Sequence, residues 1–204
     1  YNIIIILHNF HDIFNFVYLH CRFLSTLIGG IWRFVLLTKE INMIFDIQPA
    51  KEDDCFWIST IGAGVFYYNL KTGKFLNYRG DYSMDPRTDI LGNPYVYATL
   101  LVKDKLFVGT SDGLTVCFPE EDGIIRKSSK KLLSGNSVRY MVLSDDGTAV
   151  WVATNSGLVK VDGQSLDVRE YTTADGLPVN SIVSLCVDGG DLWIGTDYGL
   201  SCMD

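Results

Sequence analysis

With 204 residues, 48% of them hydrophobic and 13% aromatic, the chain can bury one sizeable core and is too apolar to be generally disordered. Its formal net charge of -7 excludes a nucleic-acid module, which needs a clustered positive face against phosphates. Five scattered cysteines, Cys21, Cys55, Cys117, Cys186 and Cys202, never form Cys-x-x-Cys with a histidine, so they indicate neither a zinc site nor a disulfide framework and read as small buried apolar residues. No cofactor is expected.

Residues 1–40 are rich in Ile, Phe, Leu, Asn and His, carry few glycines and show no alternation of strands and turns. Within them, residues 23–37 are interrupted by one strong charge, Arg33, and are shorter than the roughly 20 apolar residues that cross a hydrocarbon core. Three readings stand for this segment: an anchor or signal, a degenerate repeat, or residues foreign to the natural reading frame. His8 and His11 lie three apart, but neither they nor His20 have a third metal ligand nearby in sequence, and no metal site is assigned.

From about Ile41 the chain repeats itself. Phe56-Trp57-Ile58-Ser59-Thr60 with Gly64, Leu106-Phe107-Val108-Gly109-Thr110 with Gly113, Val150-Trp151-Val152-Ala153-Thr154 with Gly157, and Leu192-Trp193-Ile194-Gly195-Thr196 with Gly199 share one pattern: aromatic, aliphatic, small, Thr, a short gap, Gly. Ahead of each anchor stands a second element, Asn42-Met43-Ile44, Asn93-Pro94-Tyr95-Val96, Asn136-Ser137-Val138 and Asn180-Ser181-Ile182. A third follows in Phe75-Leu76-Asn77-Tyr78 and Val168-Arg169-Glu170-Tyr171. Units at 41–92, 93–135, 136–179 and 180–204 therefore read as four short strands each, the last unit lacking its outermost one.

Strands apolar on both faces fit sheets covered on both sides, as blades stacked in a propeller are. Thr-x-x-Gly is short enough only for a hairpin, in which Gly157 and Gly199 should take positive φ. The expected fold is all-β, a partial β-propeller over residues 41–204 with about three and a half four-stranded antiparallel blades, truncated. Its terminal blades should expose the apolar faces bearing Trp57 and Trp193.

Other features read as structural. The basic cluster Arg126, Lys127, Lys130 and Lys131 reads as a solvated turn, and Asp112, Asp146 and Asp197 as turn residues capping their own backbone. No nucleophile with a base, no phosphate loop and no metal spacing appears in the repeats. The longest linker, 79–92, carries Tyr82, Asp85, Arg87 and Asp89, a mixture able to stack on and hydrogen-bond a sugar on the face where propellers usually meet ligands.

Asp191-Leu192-Trp193-Ile194-Gly195-Thr196-Asp197-Tyr198-Gly199-Leu200, with the linker Asp175-Gly176-Leu177-Pro178-Val179-Asn180-Ser181, resembles the regulator-propeller repeats of hybrid two-component sensors of Gram-negative bacteria. The second unit matches less well, since Phe107 replaces Trp and Val116-Cys117-Phe118-Pro119 departs from the usual strand ending. The resemblance implies a non-enzymatic sensing module for a small-molecule or oligosaccharide ligand. It also implies a periplasmic location, tethered to the inner membrane through a parent that relays the signal to a histidine kinase. The partners implied are neighbouring blades of the parent and a homodimer of it. A lyase or hydrolase on a propeller scaffold is the alternative.

Overall fold

A computed structural model of the chain describes residues 2–4, 31–33, 43–79, 90–125 and 130–203. A short parallel pair, β1 (Asn2–Ile4) with β2 (Ile31–Arg33), precedes the repeats. The described part of the apolar segment 23–37 is thus a strand, and no helix among the described residues is long and apolar enough to cross a membrane.

The repeats form four antiparallel sheets. Blade 1 comprises β3 (Ile44–Pro49), β4 (Cys55–Thr60), β5 (Gly64–Asn69) and β6 (Phe75–Tyr78). Blade 2 comprises β7 (Val96–Val102), β8 (Lys105–Thr110), β9 (Gly113–Cys117) and β10 (Lys130–Leu132). Blade 3 comprises β11 (Val138–Leu143), β12 (Ala149–Thr154), β13 (Leu158–Asp162) and β14 (Val168–Tyr171). Blade 4 has three described strands, β15 (Ile182–Asp188), β16 (Asp191–Thr196) and β17 (Gly199–Met203). The first strands of successive blades lie against one another, β3 on β7, β7 on β11 and β11 on β15, so they form the inner edge of the arc.

The aromatic anchors Trp57, Phe107, Trp151 and Trp193 each stand third in the second strand of a blade, and the first three point toward the blade that follows. Trp57 packs with Val96 and Leu106, Phe107 with Val138 and Val150, and Trp151 with Leu185 and Leu192. This direction corrects the expectation that Trp57 is exposed. It is 1% exposed because blade 2 covers it, whereas Trp193 is 37% exposed and has no following blade among the described residues.

The same asymmetry accounts for the cysteines. Cys55 and Cys117 are buried inside blade interfaces, but Cys186 and Cys202 are exposed. Both are cross-strand partners of Trp193, one on β15 and the other on β17, and share its open face. The small-buried-residue reading therefore fails for this pair. Cys21 lies outside the described residues, as do the three histidines.

The threonine of every repeat closes its hairpin. Thr60, Thr110, Thr154 and Thr196 Oγ1 donate to the carbonyls of Gly64, Gly113, Gly157 and Gly199 at 2.7, 3.0, 2.7 and 2.9 Å. In the last three blades the same oxygen accepts the amide two residues on, from Asp112, Ser156 and Tyr198. The hydroxyl thus satisfies donor and acceptor roles in a turn too tight for full backbone pairing.

Lys130 and Lys131 are exposed, but they begin β10 rather than forming a turn, because they pair with Val116 and Thr115. Arg126 and Lys127 lie outside the described residues.

Candidate functional site

Strand direction brings the start of each first strand beside the end of the second: Ile44 faces Thr60, Val96 faces Thr110, Val138 faces Thr154 and Ile182 faces Thr196. The linkers between blades and the Thr-Gly hairpins consequently share one face of the arc. Polar side chains lock the two together. Asp112 Oδ1 accepts from Gly135 N at 2.8 Å, Asn155 Oδ1 from Ser137 N at 2.8 Å and Asn136 Oδ1 from Ser156 Oγ at 2.7 Å, while Asn93 Nδ2 donates to Ser111 Oγ at 2.9 Å. Asp112 therefore caps a linker rather than its own turn, and Asp197 likewise accepts from Ser181 Oγ. Asp146 does cap its own turn, through Thr148 N at 3.0 Å.

Just inside this rim every first strand carries a register shift at the same place, between Ile44 and Asp46, Val96 and Ala98, Val138 and Tyr140, and Ile182 and Ser184. A bulge re-aims the extra side chain out of the ladder. The four side chains so released are Phe45, Tyr97, Arg139 and Val183, one from each blade at the inner edge. They differ in chemistry although they occupy one repeat position.

The released side chains connect blades. Phe45 and Tyr97 meet edge-to-face with ring centroids 5.3 Å apart. Arg139 Nη1 donates to Ser181 Oγ at 3.0 Å, and Ser181 Oγ donates in turn to Asp197 Oδ2, so a charge-capped chain joins blade 3 to blade 4. Deeper along the inner edge, the Asp46 carboxylate accepts from Gln48 Nε2 at 3.1 and 3.2 Å and from Thr99 N of blade 2 at 3.3 Å. Tyr140 faces the same region: burial first, then the Asp46 charge and Cys186, push its phenol above the ordinary tyrosine value. It stays neutral at physiological pH and can donate a hydrogen bond. Met43, Phe45, Tyr95 and Val183 add exposed apolar surface around these polar groups.

The sequence-derived candidates Tyr82, Asp85, Arg87 and Asp89 lie outside the described residues. Both ends of their linker are fixed on this face. Arg79 Nη2 donates to the Gly62 carbonyl at 3.3 Å, and Leu91, buried in the core between blades 1 and 2, accepts from Thr115 Oγ1 at 3.2 Å. The bulged row was missed in the sequence. Each bulged residue is the first after the recurring Asn-x-aliphatic or Asn-Pro-Tyr-Val element, but only the strand pairing marks that position as a bulge.

Residues 176–198 match the family described as Two component regulator propeller. The matched stretch spans the linker into blade 4, its strands β15 and β16 and the start of the hairpin that follows. Solved structures share the arc. The extracellular domain of the hybrid two component system BT3049 from B. thetaiotaomicron superposes with a TM-score of 0.62 at 22% identity, covering 80% of this chain and 20% of that one. The extracellular domain of BT4673 from the same organism gives 0.60 at 23%, covering 79% and 21%. Virginiamycin B lyase from Staphylococcus aureus gives 0.56 at 16%, covering 82% and 57%. At these identities the likeness shows a shared propeller fold, and the chain spans about a fifth of the two extracellular domains it matches. No curated protein matches the chain.

Proposed function

We propose that this regulator-propeller arc is the ligand-sensing part of an extracytoplasmic receptor, recognising a glycan-derived ligand on its linker face and relaying occupancy to a kinase elsewhere in the parent protein. The observation that carries the reading is the bulged row. Four repeats of one architecture deliver an aromatic, a second aromatic, a cation and an aliphatic side chain to the same inner rim, a combination suited to stacking on a sugar ring and hydrogen-bonding its hydroxyls. Tyr82, Asp85, Arg87 and Asp89, on the linker anchored at this rim, are proposed as further contacts. The repeat match supports the two-component setting, and the extracellular origin of the BT3049 and BT4673 domains supports placing the module outside the cytoplasm.

Blade-to-blade contacts at the rim offer a route for relay. A ligand that bridges Tyr97 and Arg139 would favour one relative setting of the blades, and only such a differential contact can shift an equilibrium. The test is titration of the parent ectodomain with oligosaccharide fragments, with Tyr97→Ala and Arg139→Ala alongside. Saturable binding weakened at least ten-fold in both variants is expected. Equal affinity in all three proteins overturns the site, and turnover of the oligosaccharide would favour the lyase or hydrolase alternative.

A further inference from the structure

Among the described residues, ion pairs gather on the face opposite the linkers. Lys71 pairs with Asp54 at 2.9 Å, Lys74 with Asp122 at 3.5 Å and Lys105 with Asp104 at 3.5 Å. Each partner stands in or beside a connection on that face: Asp54 between β3 and β4, Lys71 and Lys74 between β5 and β6, Asp104 and Lys105 where β7 turns into β8, and Asp122 after β9. On the linker face the described partners of charged groups are neutral. Asp112 accepts from Gly135 N, Asp197 from Ser181 Oγ, and Asp175 from Thr172 N at 2.8 Å and Thr172 Oγ1 at 3.2 Å. Arg79 donates to the Gly62 carbonyl and Arg139 to Ser181 Oγ, and neither guanidinium has a carboxylate within 4 Å among the described residues.

Arg139 is the sharper case. The bulge in β11 turns it out of the ladder, at the position where the neighbouring blades carry Tyr97 and Val183. Its bond to Ser181 Oγ, at 3.0 Å, fixes the guanidinium without neutralising it, because the Asp197 charge reaches it only through the serine hydroxyl. The side chain is half-buried, so a ligand seated on the rim strips water from the N–H groups that remain. A desolvated charge is costly unless it is paired. A neutral sugar hydroxyl returns a single hydrogen bond, whereas a carboxylate or sulfate meets the planar fork with two parallel, charge-assisted bonds, each roughly twice as strong as a neutral one.

We propose that the linker-face site is selective for an anionic glycan, one whose sugar carries a carboxylate or a sulfate. The oxyanion takes the Arg139 fork, and the Tyr97 ring, on the inner strand that adjoins β11, packs on the sugar. The inference rests on the reading that this face binds a glycan, and it adds the chemical class of the ligand. Because the chain as a whole carries a net charge of -7, the attraction is local rather than long-range, and selectivity is expressed in how slowly the bound ligand leaves, not in how fast it arrives.

The probe is an array of neutral, uronate-bearing and sulfated oligosaccharides, overlaid with the full chain and with its Arg139→Gln variant. Expected are signals on oxyanion-bearing glycans that Arg139→Gln loses, and whether uronates or sulfates respond identifies the source of the charge. The strongest responder is then titrated by calorimetry as the free anion and in its neutral form, the carboxyl methyl ester or the desulfated sugar. Arg139→Gln should bind the anion about ten-fold more weakly than the parent does, and Arg139→Lys, which keeps the charge but not the fork, a few-fold more weakly. Neutralising the ligand should cost the parent about ten-fold and the Arg139→Gln variant nothing further, since one interaction is removed from either side. That non-additivity guards against a poorly folded variant, in which the two losses would add. Signals confined to neutral glycans, or losses that add, overturn the anionic class and leave the glycan site standing; silence across the array overturns both.

Discussion

Gly157 sits beneath the Tyr171 carbonyl, where a Cβ would approach the oxygen to 2.5 Å, whereas the equivalent Gly199 has nothing within 4 Å of its Cβ position. Both have positive φ, 153° and 144°. Backbone strain is therefore common to the two, and steric conflict belongs to Gly157 alone, because β14 covers it and blade 4 has no described fourth strand. Gly157→Ala should cost at least about 3 kcal/mol, strain plus displacement of β14. Gly199→Ala should cost about 1 kcal/mol, from strain only. Thermal melting of the two variants checks this, at roughly 2 to 4 °C per kcal/mol for a chain of this size. Equal losses would mean that the fourth strand does not set the cost.

Trp57 and Trp193 are the same residue of the same repeat, yet their truncation should read very differently. Trp57 packs edge-to-face on Tyr67 at 5.1 Å and is fully covered by blade 2, so Trp57→Ala should cost about 3 to 5 kcal/mol. Trp193→Ala removes a side chain that no described blade covers and should cost under about 1 kcal/mol. Denaturant unfolding of each variant measures the difference, and a large loss at Trp193 would show that its face is buried in solution.

How far the sequence could be read follows from which interactions are local. The threonine-to-glycine hairpin is closed by residues three or four apart, so its spacing announced it, and four copies gave the strand order of the blades. Which way the anchors face was not legible, since Leu192-Trp193-Ile194 is apolar throughout and either face would do; only the contact of Trp57 with Val96, 39 positions on, decides it. The bulges were hidden for a related reason. An extra residue in β3 or β11 leaves the alternation of residue types almost unchanged, and what identifies it is the pairing with a second strand. Asp112 and Asp197 looked like turn caps because their partners, Gly135 and Ser181, are 23 and 16 residues away.

Cysteine reactivity should divide by blade face. Cys55 and Cys117 lie inside interfaces, whereas Cys186 and Cys202 flank the exposed Trp193. Alkylation of the native chain followed by peptide mass mapping should label Cys186 and Cys202 at least ten-fold faster than the buried pair, because the thiolate must meet the reagent in water. Uniform rates would argue that the face bearing Trp193 is covered.

The turn before β12 should make stability depend on pH below the usual range. Asp146 accepts from Ser144 Oγ at 2.6 Å and from Thr148 N and Oγ1 at 3.0 and 2.8 Å, and these hydrogen bonds, the Ser144 hydroxyl foremost, hold its carboxyl down at about 2. A folded value below the unfolded one means that the ionised form is preferred in the folded chain. The resulting stability is complete above the unfolded value of 3.8 and is lost as pH falls through about 2. Asp162 is depressed in the same direction, chiefly by Ser165 N and then Gln164 N, so the parent loses stability in acid at two turns and an Asp146 variant is needed to separate them. Asp146→Asn keeps one acceptor and removes the charge. Its Tm should lie below the parent's by a constant interval from pH 7 down to about 4, and the interval should narrow steadily toward pH 2. Melting curves across that range decide it: an interval that does not change with pH would show that the hydrogen bonds at Asp146 are indifferent to its charge.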